Sequence, residues 1–236
     1  MKYLVCLALV ASTILSCSKD PNNSMTVTGT VKGLKKGVLY LQRIQDSSLV
    51  VVDSLEIQGD GNFHFETPLE SPEVFYLYLN KNDQNDLNDR ITFFGEPGTI
   101  TIQTSWNSFD TQAAIEGSAT QKKLEEYRKV MSRYNTQNLE IIRAAYDPEV
   151  QKDSMAMDSI EKLSNRNILR GYLYALNFAL NNSGSYIAPY IALTEVADAN
   201  IKYLDSIYSA LSPEVAASKY GKDLATYLGE RKAAGE

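Results

Sequence analysis

The sequence predicts an α+β fold, with an N-terminal antiparallel β-sandwich or barrel-like domain followed by an all-helical C-terminal region. Three observations carry this. Between Met25 and Gly117, short alternating or β-branched runs are separated by turn signals, with no helical run among them. After Gly117 the apolar spacing becomes that of a helix. Strands grouped first and helices afterwards describe an α+β chain or two abutting domains, not an alternating β-α-β protein.

The β half divides at its turns. "MTVTGTVKG" alternates Val27 and Val31 with threonines, and "LKKG" turns the chain. "VLYLQR" places Val38, Tyr40 and Gln42 on one face and Leu39, Leu41 and Arg43 on the other. "LVVVDSLEI" is β-branched and apolar, and "QGDGN" supplies a tight turn in which Gly accepts positive φ. "FHFE", "EVFYLYLN", "ITFF", "TITIQ" and "AAIEG" complete a set expected to pair antiparallel.

In the α half, "SATQ" matches a capping box, with Gln121 positioned to reach back to the Ser118 amide. Leu124, Tyr127, Met131 and Tyr134 follow at helical spacing, continued by Ile141 and Ala145. Asp147-Pro148 ends this helix and starts a long second one through Ile160, Leu163, Leu173 and Leu176, which stops near Gly184. Helices are also expected near Tyr186 to Val196 and from Ile201 to Leu211, and Ser212-Pro213 caps a final helical segment.

The domain limits that follow are 1–16, a signal peptide; 17–24, a lipidated tether; 25–117, the β domain; and 118–236, the helical region. The leader is Lys2 followed by the apolar "YLVCLALVASTIL", a positive end and apolar middle running into small residues. It is short for a membrane-spanning helix, which needs about 20 apolar residues. "ILSC", from Ile14 to Cys17, resembles a bacterial lipobox. That resemblance implies acylation of the Cys17 thiol, cleavage before it and acylation of the new amino terminus. "SKDPNNS" then reads as a polar tether.

Composition narrows the function classes. The chain has 236 residues, 44% hydrophobic, enough for a real core. Its 23 basic and 29 acidic residues give a net charge of −6 with no basic run, which argues against a nucleic-acid partner. Cys6 and Cys17 are its two cysteines, so loss of the leader and acylation of Cys17 leave no free thiol for disulfide exchange or metal binding.

The runs "TGTVKGLKKGVLYLQR", "VDSLEIQGDGNFHFE", "FFGEPGTITI" and "IEGSATQKKLEEY" resemble the domain of unknown function 4369 of envelope lipoproteins in Gram-negative anaerobes. In that family a helical segment follows, similar to "SGSYIAPYIALTEV" and "SKYGKDLATYLGERK". Many members continue into a thioredoxin-like domain of the TlpA type with a Cys-x-x-Cys motif. The resemblance therefore implies the supporting part of a redox lipoprotein, here ending at "KAAGE" without the catalytic module.

Candidate chemistry is sparse. His64, between Phe63 and Phe65, is a possible base or metal ligand, and alternation makes it a solvent-facing strand residue. Asp83, Asp86 and Asp89 in "NDQNDLND" offer oxygen ligands, but their spacing does not fit the EF-hand loop and suits a solvated hairpin loop. Asp53 and Glu56 lie three apart on a strand and so face opposite ways, which sets aside paired-carboxylate hydrolysis. Trp106 and Phe109 in "SWNSFD" are the candidate exposed contact aromatics, with packing between the two halves as the alternative. The six tyrosines at 172, 174, 186, 190, 203 and 208 suit a helical core with hydroxyls at its rim.

The functional expectation is a non-catalytic cell-envelope lipoprotein, anchored in the outer membrane facing the periplasm, with surface exposure as the alternative. It needs no cofactor or metal, and its partners are the membrane, through the lipid, and a protein or peptide. A second reading is an accessory of a thiol:disulfide interchange system whose thioredoxin domain is on another chain; a hydrolase using aspartate-bound metal ranks last. Cys17→Ser is expected to release the protein from membranes, because the lipid on Cys17 is its only expected anchor and the sequence offers no other spanning segment. Fractionation decides this: a substituted protein still wholly in the membrane pellet means another attachment.

Overall fold

The computed structural model describes residues 24–81 and 89–235. The leader, Cys17, the tether as far as Asn23, Asp83 and Asp86 lie outside the described residues, and Ser24, read as the end of the tether, already belongs to the first strand. Eight strands come first: β1 (Ser24–Lys32), β2 (Lys36–Gln45), β3 (Ser48–Gln58), β4 (Asn62–Pro68), β5 (Glu73–Asn80), β6 (Arg90–Gly95), β7 (Gly98–Ser105) and β8 (Ala114–Glu116). Helices follow: α1 (Ala119–Ala145), α2 (Pro148–Lys152), α3 (Ser154–Asn181), α4 (Ile187–Thr194), α5 (Ile201–Ala210), α6 (Pro213–Ala216) and α7 (Lys219–Ala233). The α+β class and the sandwich-like sheets are those the sequence predicts.

Two four-stranded sheets face each other, in the orders β4-β1-β7-β8 and β3-β2-β5-β6. Inward residues from both fill one core, among them Val27, Leu39, Leu41, Phe63, Phe65, Leu77, Phe93 and Ile102. One pairing departs from the antiparallel expectation, since β1 and β7 run parallel from Met25↔Gly98 to Lys32↔Ser105. They are far apart in sequence, so no tight turn imposes antiparallel order on them. The β2–β3 hairpin turns on Asp46 and Ser47, both at positive φ (47° and 63°), a two-residue turn without glycine. Gly61, in the "QGDGN" turn, has φ 75°, and a Cβ there would lie 2.2 Å from the Val31 carbonyl oxygen.

The helices cover the outer face of the second sheet. Strand β5 alternates Phe75, Leu77 and Leu79 into the sandwich with Val74 and Tyr76 toward the helices. Phe93 and Phe94 of β6 divide in the same way. The second core takes Leu124 and Tyr127 from α1, Leu176 from α3, Ile187 and Ile191 from α4, Leu204 and Ile207 from α5, and Leu224 and Leu228 from α7. The result is three layers: sheet, sheet, helices.

The step from strand to helix takes two residues. Gly117 (φ 102°) makes the turn, and a Cβ there would sit 2.0 Å from the Thr99 carbonyl oxygen. Ser118 then caps α1, its hydroxyl accepting from the Gln121 amide at 2.9 Å. The other half of the expected capping box does not form. The buried Gln121 side chain instead accepts from the Phe94 amide of edge strand β6 at 2.9 Å and donates to Glu125 at 2.8 Å. A buried strand-edge N–H has no water to turn to, so it competes strongly for the amide oxygen.

The expected second helix is two. Asp147 and Pro148 start α2 as read, with the Glu149 amide donating to Asp147 at 2.9 Å. Asp153 then interrupts in an extended conformation and caps α3, accepting from the amides of Met155 and Ala156. Leu163 and Leu173 face solvent, and Ala175, Leu176 and Ala179 make the buried face of α3. Between α6 and α7, Ser218 supplies a further cap.

Gln121→Leu is expected to leave the buried Phe94 N–H without an acceptor and to destabilise the fold by about 1–3 kcal/mol. For a chain of this size that lowers the melting temperature by several degrees. Thermal unfolding measures it, and an unchanged midpoint would show that this bond contributes nothing.

Candidate functional site

Where α6 and α7 meet the strand ends of the second sheet, the layers leave an open groove of about 650 Å³. A neighbouring hollow of about 420 Å³ shares Glu70, Ser71, Pro72, Tyr186 and Glu214 with it and extends it along the seam.

An ion cluster builds the groove's floor. Glu73, at the start of β5, is 5% exposed. Its carboxylate accepts from Arg43 of β2 at 3.1 Å and pairs through its other oxygen with the Lys219 ammonium of α7. A buried carboxylate requires such partners, because its desolvation is otherwise uncompensated. Lys219 also donates its ammonium to the Ile44 carbonyl at 3.1 Å and its amide to Ser71 Oγ at 2.8 Å. The next residue, Tyr220, accepts from the Val74 amide at 3.0 Å and packs its ring against Phe94 and Tyr190. The first turn of α7 is thus tied to both β2 and β5.

The other wall is polar and two-signed. Tyr186 donates its hydroxyl to Glu214 at 2.6 Å. Lys222 and Asp223 of α7 and Glu70 before β5 complete a lining of three cations and four acids. Ser218 is buried, accepting from the Gly221 amide and donating to the Val215 carbonyl at 2.6 Å, so its hydroxyl serves as a cap. Ser71 is held by the Lys219 amide and faces no imidazole, since the chain's single histidine, His64, stands exposed on β4 in the other sheet. Recognition through charge and hydrogen bonds is what this lining supports.

The residues singled out in the sequence lie elsewhere. Trp106 is 49% exposed at the end of β7, against Gly33 of the β1–β2 turn. Phe109 corrects the expectation of an exposed contact aromatic: it is 0% exposed, inside the sandwich core, because Thr104 Oγ1 donates to its carbonyl at 2.7 Å and folds the loop inward. Neither residue packs between the halves or lines the groove. Asp53 and Glu56 are exposed on β3. Asp89 is buried in an ion pair with Lys81. Among the described residues no three His, Cys, Asp or Glu side chains gather as a metal site.

Sequence reasoning missed Arg43, Glu73 and Lys219. One signal was present: Glu73 opens a strand that is aliphatic or aromatic on both faces from Val74 to Leu79.

Residues 25–124 match the family model described as a domain of unknown function, DUF4369. The matched segment starts at the second residue of β1, takes in the other seven strands found among the described residues and runs past Gly117 into α1, including Gln121 and Leu124. It therefore contains Arg43 and Glu73 of the groove, while Lys219 lies in the helical region beyond it. No curated protein matches the chain.

The tyrosines make the α half sensitive to alkali. Burial, then the hydrogen bond and charge of Glu214, push the Tyr186 hydroxyl up to about 12. Burial is also the first cause that raises Tyr127, Tyr190 and Tyr220. The folded state holds these protons more tightly than the unfolded chain, whose tyrosines titrate near about 10. Their stabilisation is complete below that value and is lost as pH rises through the folded values. Unfolding midpoints measured across alkaline pH are expected to fall above about pH 10. Tyr186→Phe should flatten the part of that fall below about pH 12, and an identical profile would mean Tyr186 is not coupled to folding.

Proposed function

We propose that this chain is a non-catalytic lipoprotein of the cell envelope, held in the outer membrane by acylated Cys17 and facing the periplasm, whose seam groove binds an extended segment of a protein. The leader and "ILSC" support the location. Among the described residues no helix is long and apolar enough to cross a membrane.

The groove is the observation that carries the binding reading. It is open along the seam, polar, and lined by both signs of charge. An extended polypeptide offers a donor and an acceptor at nearly every residue and suits such a lining. Arg43 and Lys219 share the one carboxylate of Glu73, a cluster of net charge +1. With Lys222, Glu70, Glu214 and Asp223 the lining comes close to balance, so the groove does not draw a highly charged ligand. The resemblance to a family whose members often carry an oxidoreductase module supports envelope polypeptides as the ligands.

The full chain in detergent, presented to a random peptide array, tests this. Enriched peptides are expected to lose about ten-fold or more in affinity on Ala217→Trp, which fills the groove from an exposed position outside the ion cluster. The circular dichroism spectrum should not change. Absence of enrichment, or equal binding by Ala217→Trp, would remove the groove as a peptide site.

A further inference from the structure

Helices α1 and α3 run antiparallel but do not close along their whole length. Between them lies a crevice of about 230 Å³, walled by the rings of Tyr127, Tyr134 and Tyr172 and by Met131. Gly171 leaves the space: a Cβ there would meet nothing nearer than 3.6 Å.

The crevice is rich in unmatched acceptors. Asn167 of α3 is 4% exposed, and its Nδ2 donates to the Tyr134 carbonyl at 2.9 Å. That bond fixes the amide's orientation and leaves Oδ1 as an acceptor. Among the described residues, Asn167 and Asn138 line the crevice, and the Oδ1 atom of each is buried without a donor. A buried polar atom in this condition is unfavourable, and two in one crevice point to a ligand that brings donors. A third acceptor is the exposed Glu195, whose carboxylate accepts a hydrogen bond from the Tyr127 hydroxyl at 3.0 Å. Among the described residues no Lys or Arg lines the crevice, so no cation in those walls offsets Glu195.

We infer that this crevice binds a primary ammonium group carried on an alkyl chain. An ammonium has three donors and no acceptor, the complement of the two amide oxygens and the carboxylate. The alkyl stem lies along the tyrosine rings and Met131, and ring faces attract the cation. The volume is below the roughly 300–1,000 Å³ of sites for larger organic ligands, so one side chain or a small amine fits. A carboxylate or phosphate would meet three acceptors and no cation. The same ammonium chemistry comes from a lysine side chain of a partner protein or from a free diamine. The site is separate from the seam groove and stands independently of what that groove binds.

Calorimetric titration of the full chain in detergent tests this with three probes: Nα-acetyl-lysine N-methylamide, 1,5-diaminopentane, and the uncharged Nα-acetyl-norleucine N-methylamide. At least one amine is expected to bind about ten-fold or more tightly than the norleucine probe. Tighter binding of the lysine probe assigns the site to a protein side chain, and tighter binding of the diamine assigns it to a free amine. Asn167→Leu removes the orphaned oxygen together with the Nδ2 bond to the Tyr134 carbonyl, and should weaken amine binding by about ten-fold or more in a protein whose circular dichroism spectrum is unchanged. Gly171→Ala favours the helix and narrows the crevice, so it should also weaken binding in a fully folded protein. The inference is overturned if neither amine binds at millimolar concentration, if norleucine binds equally, or if both variants bind like the parent.

Discussion

Phe94 is the point through which the two halves hold each other. Its ring is fully buried and meets Tyr190 of α4 and Tyr220 of α7 edge-on, at 5.8 and 6.0 Å. Its amide, on the open edge of the sheet, is received by Gln121 of α1. One residue of an edge strand therefore engages three helices. Its neighbour Phe93 points the other way and stacks on Phe75 in the sandwich core, at 6.0 Å. Strand alternation makes this possible, and the constraint is strict, because shifting β6 by one residue would exchange the two rings between cores.

Other features follow from that junction. With β5 and β6 buried on both faces, their sequences are apolar almost throughout, unlike β4, which alternates cleanly because one of its faces meets water. With α1 along β6, an otherwise open sheet edge is closed, and Arg128 reaches toward the Thr92 carbonyl further along it. With α7 anchored by Tyr220, Lys219 arrives above Glu73, and the seam groove takes its shape from that pairing.

The groove and the crevice differ in kind. The groove's one buried carboxylate, Glu73, is met by two part-exposed cations in an open lining of both signs. The crevice holds acceptors that the protein does not satisfy, in a gap that a glycine keeps open. Core packing favours filled volume and paired polar atoms, and the α1–α3 contact around Asn167 and Gly171 meets neither demand.

Features decided within a few residues were legible in the sequence. The caps at Ser118, Asp147 and Ser212, the glycine turns, the outward His64 and the change of period at Gly117 depend on neighbours close in the chain, and alternation and capping report such neighbours directly. Tertiary structure alone decided the rest. It set β1 parallel to β7 across some seventy residues, a distance over which no turn enforces order. It drew Phe109 into the core and turned the Gln121 side chain from its own helix to a strand edge. It brought Arg43, Glu73 and Lys219 together, and Asn138 beside Asn167. Each of these depends on desolvation, and whether a group loses its water is settled by which distant surface comes to lie over it.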